Sequence, residues 1–135
     1  MITGIGHVAI RVTALEAALR FYRDGLGFRE AFRLYRDGQV WIVYLVVAPG
    51  QFVELFPDGE PAELSARGVG YVHLCLGVDD IQATVKEISA RGVVFEGEPR
   101  MGLDGNWQVW TADPDGNRIE FMQTMPDSLQ AQAMR

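Results

Sequence analysis

The stretch GYVHLCLGV, residues 70–78, predicts a β-strand, because apolar residues alternate along it with smaller or polar ones. Leu74, Leu76 and Val78 would share one face of this strand. The opposite face carries His73, a titratable side chain in a segment that otherwise suits a protein core. A lone histidine of this kind is more often structural than a ligand, so its role depends on what the rest of the chain places beside it.

A counterpart of this stretch, GIGHVAIRV, lies 66 residues earlier at residues 4–12. At that offset residues 4–56 can be laid over residues 70–122 without a gap, and apolar, tryptophan and glycine positions coincide along the whole span. Internal similarity of this length predicts two copies of one supersecondary unit.

Each copy has the pattern of a β-α-β-β-β module. The first strands are predicted at about 5–12 and 70–78. Six further strands are predicted at about 28–36, 40–48, 51–56, 94–98, 106–112 and 117–124. A capping box followed by a terminating glycine marks one helix in each copy, formed by Thr13, Glu16 and Gly25, then by Asp79, Gln82 and Gly92.

We therefore expect an α+β fold in which residues 1–135 form one domain built from two tandem modules, residues 2–56 and 70–124. The polar, Pro- and Gly-bearing segment 57–69 would link the modules. The weakly patterned tail, residues 125–135, is expected to form a short helix or to be disordered.

Strand parity places four recurring residues on comparable faces. The aliphatic faces of the first and last strands of each module should lie under the helices, which leaves the other faces for His7, Glu54, His73 and Glu120. A carboxylate buried alone is costly, whereas two imidazoles and two carboxylates around one cation remove that cost. Taken singly, a glutamate of this kind could instead be solvated or paired with an arginine, but recurrence of the His and Glu pair at one offset favours a metal site.

Composition excludes several classes of function. The 12 basic and 18 acidic residues give a net charge of −6, which argues against partners that need a basic face, namely nucleic acid and acidic membranes. The longest apolar run, Val40–Ala48, has nine residues and is too short to span a bilayer as a helix. One cysteine, Cys75, and no recognisable signal peptide lead us to expect a cytoplasmic protein.

The doubled module, the openings GHVAIRV and GYVHLCLGV, the turn DPDGN and the strand RIEF resemble the glyoxalase/vicinal-oxygen-chelate superfamily over about residues 2–124. The resemblance implies that the two modules form cupped, incomplete β-barrels around a divalent metal. The metal ligands it implies are His7, Glu54, His73 and Glu120.

This ligand set is similar to that of the lactoylglutathione lyases of the superfamily. The resemblance implies an enzyme that isomerises an α-oxo aldehyde–thiol hemithioacetal through an enediolate. It implies one divalent ion per site, with Ni, Co or Zn ahead of Mn or Fe. Glu120 first, and Glu54 second, are implied as acid/base residues, and either could instead be a ligand only.

Substrate contacts are implied for Arg11 and, through an apolar lining, for Phe52, Phe56 and Met122. Two features depart from the pattern of a glutathione-using enzyme: Asp58 stands where the family has Asn, and GLDGN at residues 102–106 replaces a basic segment. Arg100 lies a few residues away from that segment.

Other reactions therefore stay open for the small carbonyl substrate, and a glutathione conjugate is one alternative for that substrate. They are epimerisation, extradiol dioxygenation and thiol transfer, and a non-catalytic, drug-sequestering protein is a further alternative. The resemblance also implies a homodimer, and the sequence leaves open whether one chain or two supply the ligands of each metal.

Three residues near the expected site are interpreted as structural. Cys75, two residues from His73, is interpreted as a small buried filler, because no activating partner for a nucleophile is visible. Trp41 and Trp107 occupy equivalent positions in the repeat, and we interpret them as parts of the core.

Overall fold

The structure is a computed structural model that describes residues 1–63, 65 and 67–135. It divides into two compact units, residues 1–63 and residues 64–135. Each unit contains one four-stranded mixed sheet, and neither sheet closes into a barrel. The predicted α+β class and the doubled β-α-β-β-β order are confirmed.

The first unit has its last strand beside its first. Its elements are β1 (His7–Arg11), α1 (Leu15–Leu19), a π-helical turn (Arg20–Gly25), β2 (Arg29–Arg36), β3 (Gln39–Ala48) and β4 (Gln51–Phe56). The strand order is β1-β4-β3-β2, in which β1 runs parallel to β4 and the other pairs are antiparallel. The chain passes from β1 through the helix to β2 at the far edge of the sheet and returns through β3, so that β4 pairs beside β1.

The second unit repeats this topology. Its elements are β5 (Leu74–Gly77), α2 (Ile81–Ala90), β6 (Arg100–Met101), β7 (Trp107–Ala112), β8 (Arg118–Gln123) and α3 (Leu129–Ala133). The strand order is β5-β8-β7-β6, again with one parallel pair, β5 and β8. In the part of the chain that the structure describes, no helix has the length and apolar character needed to cross a membrane.

The core of each unit lies between the sheet and its helix, as strand parity predicted. In the first unit Val53 and Leu55 of β4 are buried beneath α1, which itself buries Leu19. In the second unit Ile119 and Phe121 of β8 are buried beside α2. Full burial of an aliphatic or aromatic side chain contributes roughly 1.5–3 kcal/mol, so these faces fix which side of each sheet turns away from the helix.

The helix starts differ from the predicted capping boxes by one residue. Helix α1 has Ala14 at its N-cap and no side-chain cap, so Thr13 does not take this position. Helix α2 is capped by Asp80, whose side chain accepts a hydrogen bond from the backbone of Ala83 at 2.9 Å. Asp79 instead accepts from the backbone N–H of Asp80 at 2.9 Å. Two consecutive acids can each serve as an N-cap, and extended backbone at Asp80 decides between them.

The glycines predicted to end the helices, in contrast to the predicted N-caps, lie at the helix ends in the structure. The first helix ends as a π-helical turn at Gly25, with Leu26 donating to the carbonyl of Phe21 at 2.8 Å. Helix α2 is followed by Gly92, whose φ of 92° lies in the left-handed region that glycine tolerates. The π-helical turn itself leaves no clear mark in the sequence.

The strand predicted at 94–98 is wrong, because the described chain has only the two-residue strand β6 between α2 and β7. Single hydrogen bonds still tie the segment to β7: Thr111 donates to the carbonyl of Val94 at 2.7 Å, and Glu96 donates to the carbonyl of Trp110 at 2.7 Å. Gly97 has a φ of 86° and Pro99 lacks an N–H, so this segment cannot form a regular hydrogen-bond ladder with β7.

The tail forms a short helix that is fastened to the GLDGN loop. Asn106 is fully buried, and its side-chain amide donates to Asp104 at 3.0 Å and to Gln130 at 2.6 Å. Its carbonyl oxygen accepts from the backbone of Met125 at 2.9 Å. Ser128 caps α3 by accepting from the backbone of Ala131 at 3.1 Å. One buried amide therefore holds the chain end against the loop that precedes β7.

Replacement of Asp80 by alanine should destabilise the protein by about 1 kcal/mol, because the N-cap of α2 is lost. Asp79→Ala is the matched control and should cost less, since Asp79 does not cap the helix. Urea unfolding of both variants measures the difference. Equal losses, or a larger loss for Asp79→Ala, would contradict the assignment of the cap.

Replacement of Asn106 by alanine should cost about 1–3 kcal/mol and release the tail, because the fully buried amide is lost and the Met125 N–H and the side-chain oxygen of Gln130 lose their partner. Hydrogen exchange at residues 125–134 should accelerate more than elsewhere in the second unit. Gln132→Ala, on the exposed side of α3, is the control. Unchanged exchange in the tail of Asn106→Ala would contradict this role.

Candidate metal centre

The first His–Glu pair lies on the two neighbouring strands β1 and β4, on the face turned away from α1. Ala9 pairs with Glu54 in the parallel register of β1 and β4. His7 lies two residues before Ala9, so its side chain is on the same face of the sheet as Glu54. The distance from His7 Nε2 to Glu54 Oε2 is 3.6 Å. Glu54 is only 5% exposed, whereas the His7 side chain is 51% exposed. The pair therefore combines a buried carboxylate with an imidazole that solvent or a ligand can reach.

Glu54 also has a neighbour on its other side. Tyr44 of β3 pairs directly with Glu54 in the antiparallel register. Interaction with the Glu54 carboxylate, followed by desolvation, raises the pKa of the Tyr44 phenol. The carboxylate thus lies beside a histidine of β1 and opposite a tyrosine of β3.

The second pair repeats the first at equivalent positions. His73 precedes β5, and its Nε2 lies 3.0 Å from Oε2 of Glu120 on β8. Glu120 is 6% exposed. The imidazole of His73 packs edge-on against the ring of Trp110, with centroids 4.8 Å apart and an interplanar angle of 84°. This ring contact restricts the orientation of the imidazole.

Cys75 is not the buried filler that the sequence suggested, because the residue is exposed. It pairs directly with Glu120 across β5 and β8, a position that turns it to the same face as the carboxylate. Loss of water around the sulfur, followed by the charge of Glu120, raises the pKa of the thiol to about 12. The thiol is therefore protonated at neutral pH and is a poor nucleophile, as expected from the absence of an activating partner.

Arginines do not neutralise either glutamate in the part of the chain that the structure describes. Arg118 pairs with Glu96 at 3.0 Å and lies over the ring of Trp110, 4.4 Å from its centroid. Arg11 forms no ion pair with Glu54 among the described residues. Its guanidinium lies 5.4 Å from the centroid of the Phe56 ring.

Each pair fits two neighbouring ligand positions of a divalent cation. Imidazole nitrogen and carboxylate oxygen are the donors that Zn, Ni and Co accept, with bonds of about 2.0–2.2 Å. Two such donors on one tetrahedral or octahedral ion lie roughly 3.0–3.5 Å apart. The observed separations of 3.0 and 3.6 Å are close to that range.

Each pair supplies two ligands, one imidazole and one carboxylate. Over residues 1–63, 65 and 67–135, no group of three or more His, Cys, Asp or Glu side chains comes together as a metal-binding cluster. Protein zinc sites use three or four protein ligands, so neither pair would be a complete site on its own.

Around the first pair the sheet face is aromatic. Phe52 and Phe56 are half-buried, as is suitable for an apolar lining. The ring of Tyr44 packs edge-on against Phe52, with centroids 6.3 Å apart, and stacks on Phe32 at 4.3 Å. Phe32 and Tyr44 were missed in the sequence, although alternation along β2 and β3 places them on this face.

Trp41 is not a core residue, since 37% of its surface is exposed. Its ring packs edge-on against Phe56 at 6.4 Å, and the guanidinium of Arg36 covers it at 3.7 Å from the centroid. A cation over an aromatic ring stabilises the indole without burying it. The prediction that Trp41 lies in the core, made from its equivalence to Trp107 in the repeat, is therefore wrong. Trp107 is half-buried.

Met122 of β8 is half-buried and meets the GLDGN loop, since its sulfur accepts a hydrogen bond from the Asn106 amide at 3.5 Å. In that loop Asp104 accepts hydrogen bonds from the backbone and side chain of Asn106 and from Gln108. These bonds, led by the one from the Asn106 backbone, lower the pKa of Asp104. Asp104 thus has a structural role in the segment that departs from the glutathione-binding pattern.

Comparison with known proteins identifies the family. Residues 4–121 match the model of the Glyoxalase/Bleomycin resistance protein/Dioxygenase superfamily. A lactoylglutathione lyase of Haemophilus influenzae is 33% identical over 131 residues, which cover 87% of this chain and 90% of that protein. An ethylmalonyl-CoA/methylmalonyl-CoA epimerase of Cereibacter sphaeroides is 34% identical over 126 residues, covering 87% and 93%.

A solved structure agrees with both the fold and the family. The crystal structure of a glyoxalase family protein from Enterococcus faecalis superposes with a TM-score of 0.77 at 27% identity, covering 89% of this chain and 97% of that one. The resemblance inferred from the repeated modules is therefore confirmed, and the chain belongs to the glyoxalase/bleomycin resistance protein/dioxygenase superfamily.

Proposed function

We propose that this protein is a metal-dependent isomerase of the lactoylglutathione lyase type, which rearranges the hemithioacetal of an α-oxo aldehyde and a thiol. One observation carries the proposal: a buried carboxylate lies within 3.0–3.6 Å of an accessible imidazole in both units, at positions related by the repeat. An uncompensated buried carboxylate is costly, and a divalent cation shared by the carboxylate and the imidazole removes this cost.

In this proposal His7, Glu54, His73 and Glu120 hold the cation, which is Ni, Co or Zn, with Mn or Fe next. When bound, the cation polarises two neighbouring oxygens of the substrate and stabilises the charge that develops on them. The proposal leaves open whether one chain or two chains of a homodimer supply the two pairs.

A base must move a proton between two adjacent carbon atoms, and we assign this role to Glu120, with Glu54 as the second choice. In each pair the carboxylate lies beside an imidazole, at 3.0 Å for Glu120 and at 3.6 Å for Glu54.

Substrate contacts are proposed for Arg11, Phe52, Phe56 and Met122. Arg11 lies over Phe56 with its guanidinium free of any ion pair to Glu54 in the described residues, so it can receive a carboxylate of the substrate. The rings of Phe52 and Phe56 would cover the apolar part. The GLDGN loop offers an acid in place of a basic group, so the thiol partner need not be glutathione.

Epimerisation beside a carbonyl group is the second candidate, and it is favoured by the 34% identity to the Cereibacter sphaeroides epimerase. Both reactions begin with removal of a proton from a carbon next to a carbonyl, so the same carboxylates can serve either. The two candidates differ in substrate, a hemithioacetal or an acyl-CoA thioester.

Metal content tests the ligand assignment. The purified wild-type chain, reconstituted with Ni, Co or Zn and dialysed, should retain the ion, and His73→Ala and His7→Ala should lose most of it. Cys75→Ala is the matched control, because Cys75 lies on the same face beside Glu120 but is not assigned as a ligand. Elemental analysis measures the ratio of metal to protein. Unchanged metal in His73→Ala would overturn the site.

Turnover tests the reaction. Each metal form should convert methylglyoxal with at least one low-molecular-weight thiol, and Glu120→Gln should lower kcat by roughly 10²–10⁴-fold if Glu120 is the base. Ethylmalonyl-CoA is the competing substrate, followed by exchange of its α-proton in D₂O. Turnover of the acyl-CoA alone would replace the lyase proposal by the epimerase, and oxygen-dependent cleavage of a catechol would overturn both.

A further inference from the structure

The ring of Trp110 contacts the histidine of the second His–Glu pair. Trp110 of β7 pairs directly with Glu120 of β8, so both side chains lie on the same face of the sheet. The ring of Trp110 and the imidazole of His73 meet edge to face, with centroids 4.8 Å apart and an interplanar angle of 84°. The Nε2 atom of this imidazole lies 3.0 Å from Oε2 of Glu120. One imidazole is therefore in contact with both an indole and a carboxylate.

Trp110 is itself held by contacts with other residues. Its backbone carbonyl accepts a hydrogen bond from the N–H of Glu96 at 2.7 Å. The guanidinium of Arg118 lies over its ring, 4.4 Å from the centroid, and forms an ion pair with the Glu96 carboxylate at 3.0 Å. The indole is thus tied at its backbone and covered by a cation, so it can act as a support for the imidazole.

The first unit has no such support for its histidine. Tyr44 occupies the position equivalent to Trp110, but its ring stacks on Phe32 with centroids 4.3 Å apart. His7 has no aromatic ring contact among the described residues. Its side chain is 51% exposed and lies 3.6 Å from its carboxylate, whereas the His73 side chain is 33% exposed and lies 3.0 Å from its own. The imidazole with the ring neighbour is therefore the less exposed one and lies closer to its glutamate.

We propose that Trp110 is a positioning residue, which holds the His73 imidazole in the orientation of a metal ligand before the metal binds. The inference rests on the proposed function, since it requires His73 to bind a divalent cation. Fixing a mobile side chain on binding costs free energy, and a ligand that is already oriented avoids this cost. An indole offers only an N–H donor, so Trp110 acts through His73 and is not a ligand.

The metal-free, full-length chain tests the orientation without any metal. It has two histidines, so the carbon-bound protons of the imidazoles give two sets of NMR signals, which His7→Ala assigns. Trp110→Leu removes the ring and keeps an apolar side chain. We expect it to shift the His73 signals and to increase the picosecond-to-nanosecond motion of that imidazole, while the His7 signals stay unchanged. Trp110→Phe, which keeps a smaller aromatic ring, should give an intermediate result.

Co²⁺ affinity, measured by competition with a chelator, tests the consequence for a metal. Binding should be about two- to tenfold weaker for Trp110→Leu, because the imidazole must then be ordered when the ion binds. Trp41→Leu is the matched control and should leave the affinity unchanged. The Trp41 ring is also covered by an arginine, but it contacts Phe56 and not a histidine.

Unchanged signals and motion of His73 in Trp110→Leu, or a Co²⁺ affinity equal to that of the wild type, would overturn the positioning role. Equal changes at both histidines would also overturn it, because they would indicate general damage to the fold. If Trp110→Leu does not fold, Trp110→Phe decides, and His73 signals identical to those of the wild type would contradict the inference.

The wild-type chain distinguishes this inference from the proposed function. Absence of Co²⁺ binding by the wild type would remove the metal-dependent function, and with it the role of Trp110 in metal binding. Co²⁺ binding that depends on His7 and His73 but not on the Trp110 ring would keep the proposed function and overturn only the positioning role.

Discussion

A buried carboxylate beside an imidazole is the constraint on which each unit is organised. Glu54 and Glu120 are 5% and 6% exposed, although they lie on the sheet faces that the helices do not cover. Such groups are stable only where donors or a cation accompany them. In each unit the first and last strands of the sheet are neighbours, and this arrangement brings a histidine from one to a glutamate on the other. The β-α-β-β-β connection is therefore what makes each pair possible.

Much of this organisation could be predicted from the sequence, because it follows from two patterns: alternation of side chains along the strands and the repeat of the module. Alternation along strands separates aliphatic from polar faces, and it correctly placed Val53 and Leu55 under the helix with Glu54 opposite. The gap-free repeat then related the two halves of the chain, so that the second pair supported the interpretation of the first. A lone His73 would have been interpreted as structural on the same local pattern.

The features that sequence did not predict depend on contacts between distant residues or on choices among near-equal neighbours. Asp79 and Asp80 are both good N-caps, and only the path of the chain into α2 selects Asp80. Tyr44 and Glu54 are ten positions apart and become neighbours only through the pairing of β3 with β4, and a tyrosine in an apolar run gives no sign of that partner. Trp41 was assigned to the core because Trp107 occupies the equivalent position in the repeat, whereas the Trp41 ring is partly exposed and covered by the guanidinium of Arg36.

Between the two modules, the residues on the helix-facing side of the sheet differ less in chemistry than those on the opposite side. This difference indicates which residues determine the specificity for the substrate. Positions that face the helices keep their apolar character, as in Val43 and Val109 or Leu55 and Phe121. This side is constrained by packing, which tolerates only changes that conserve volume and polarity.

Next to the glutamates the equivalent positions differ in chemistry, with Tyr44 against Trp110, Phe52 against Arg118 and Ala9 against Cys75. Only the histidines and glutamates are identical there, so the packing of the sheet does not dictate their neighbours. Residues that packing leaves free to vary are the ones through which one metal-binding pattern can serve different substrates. The identity of the substrate is therefore to be sought in the residues around each His–Glu pair, and not in the pair itself.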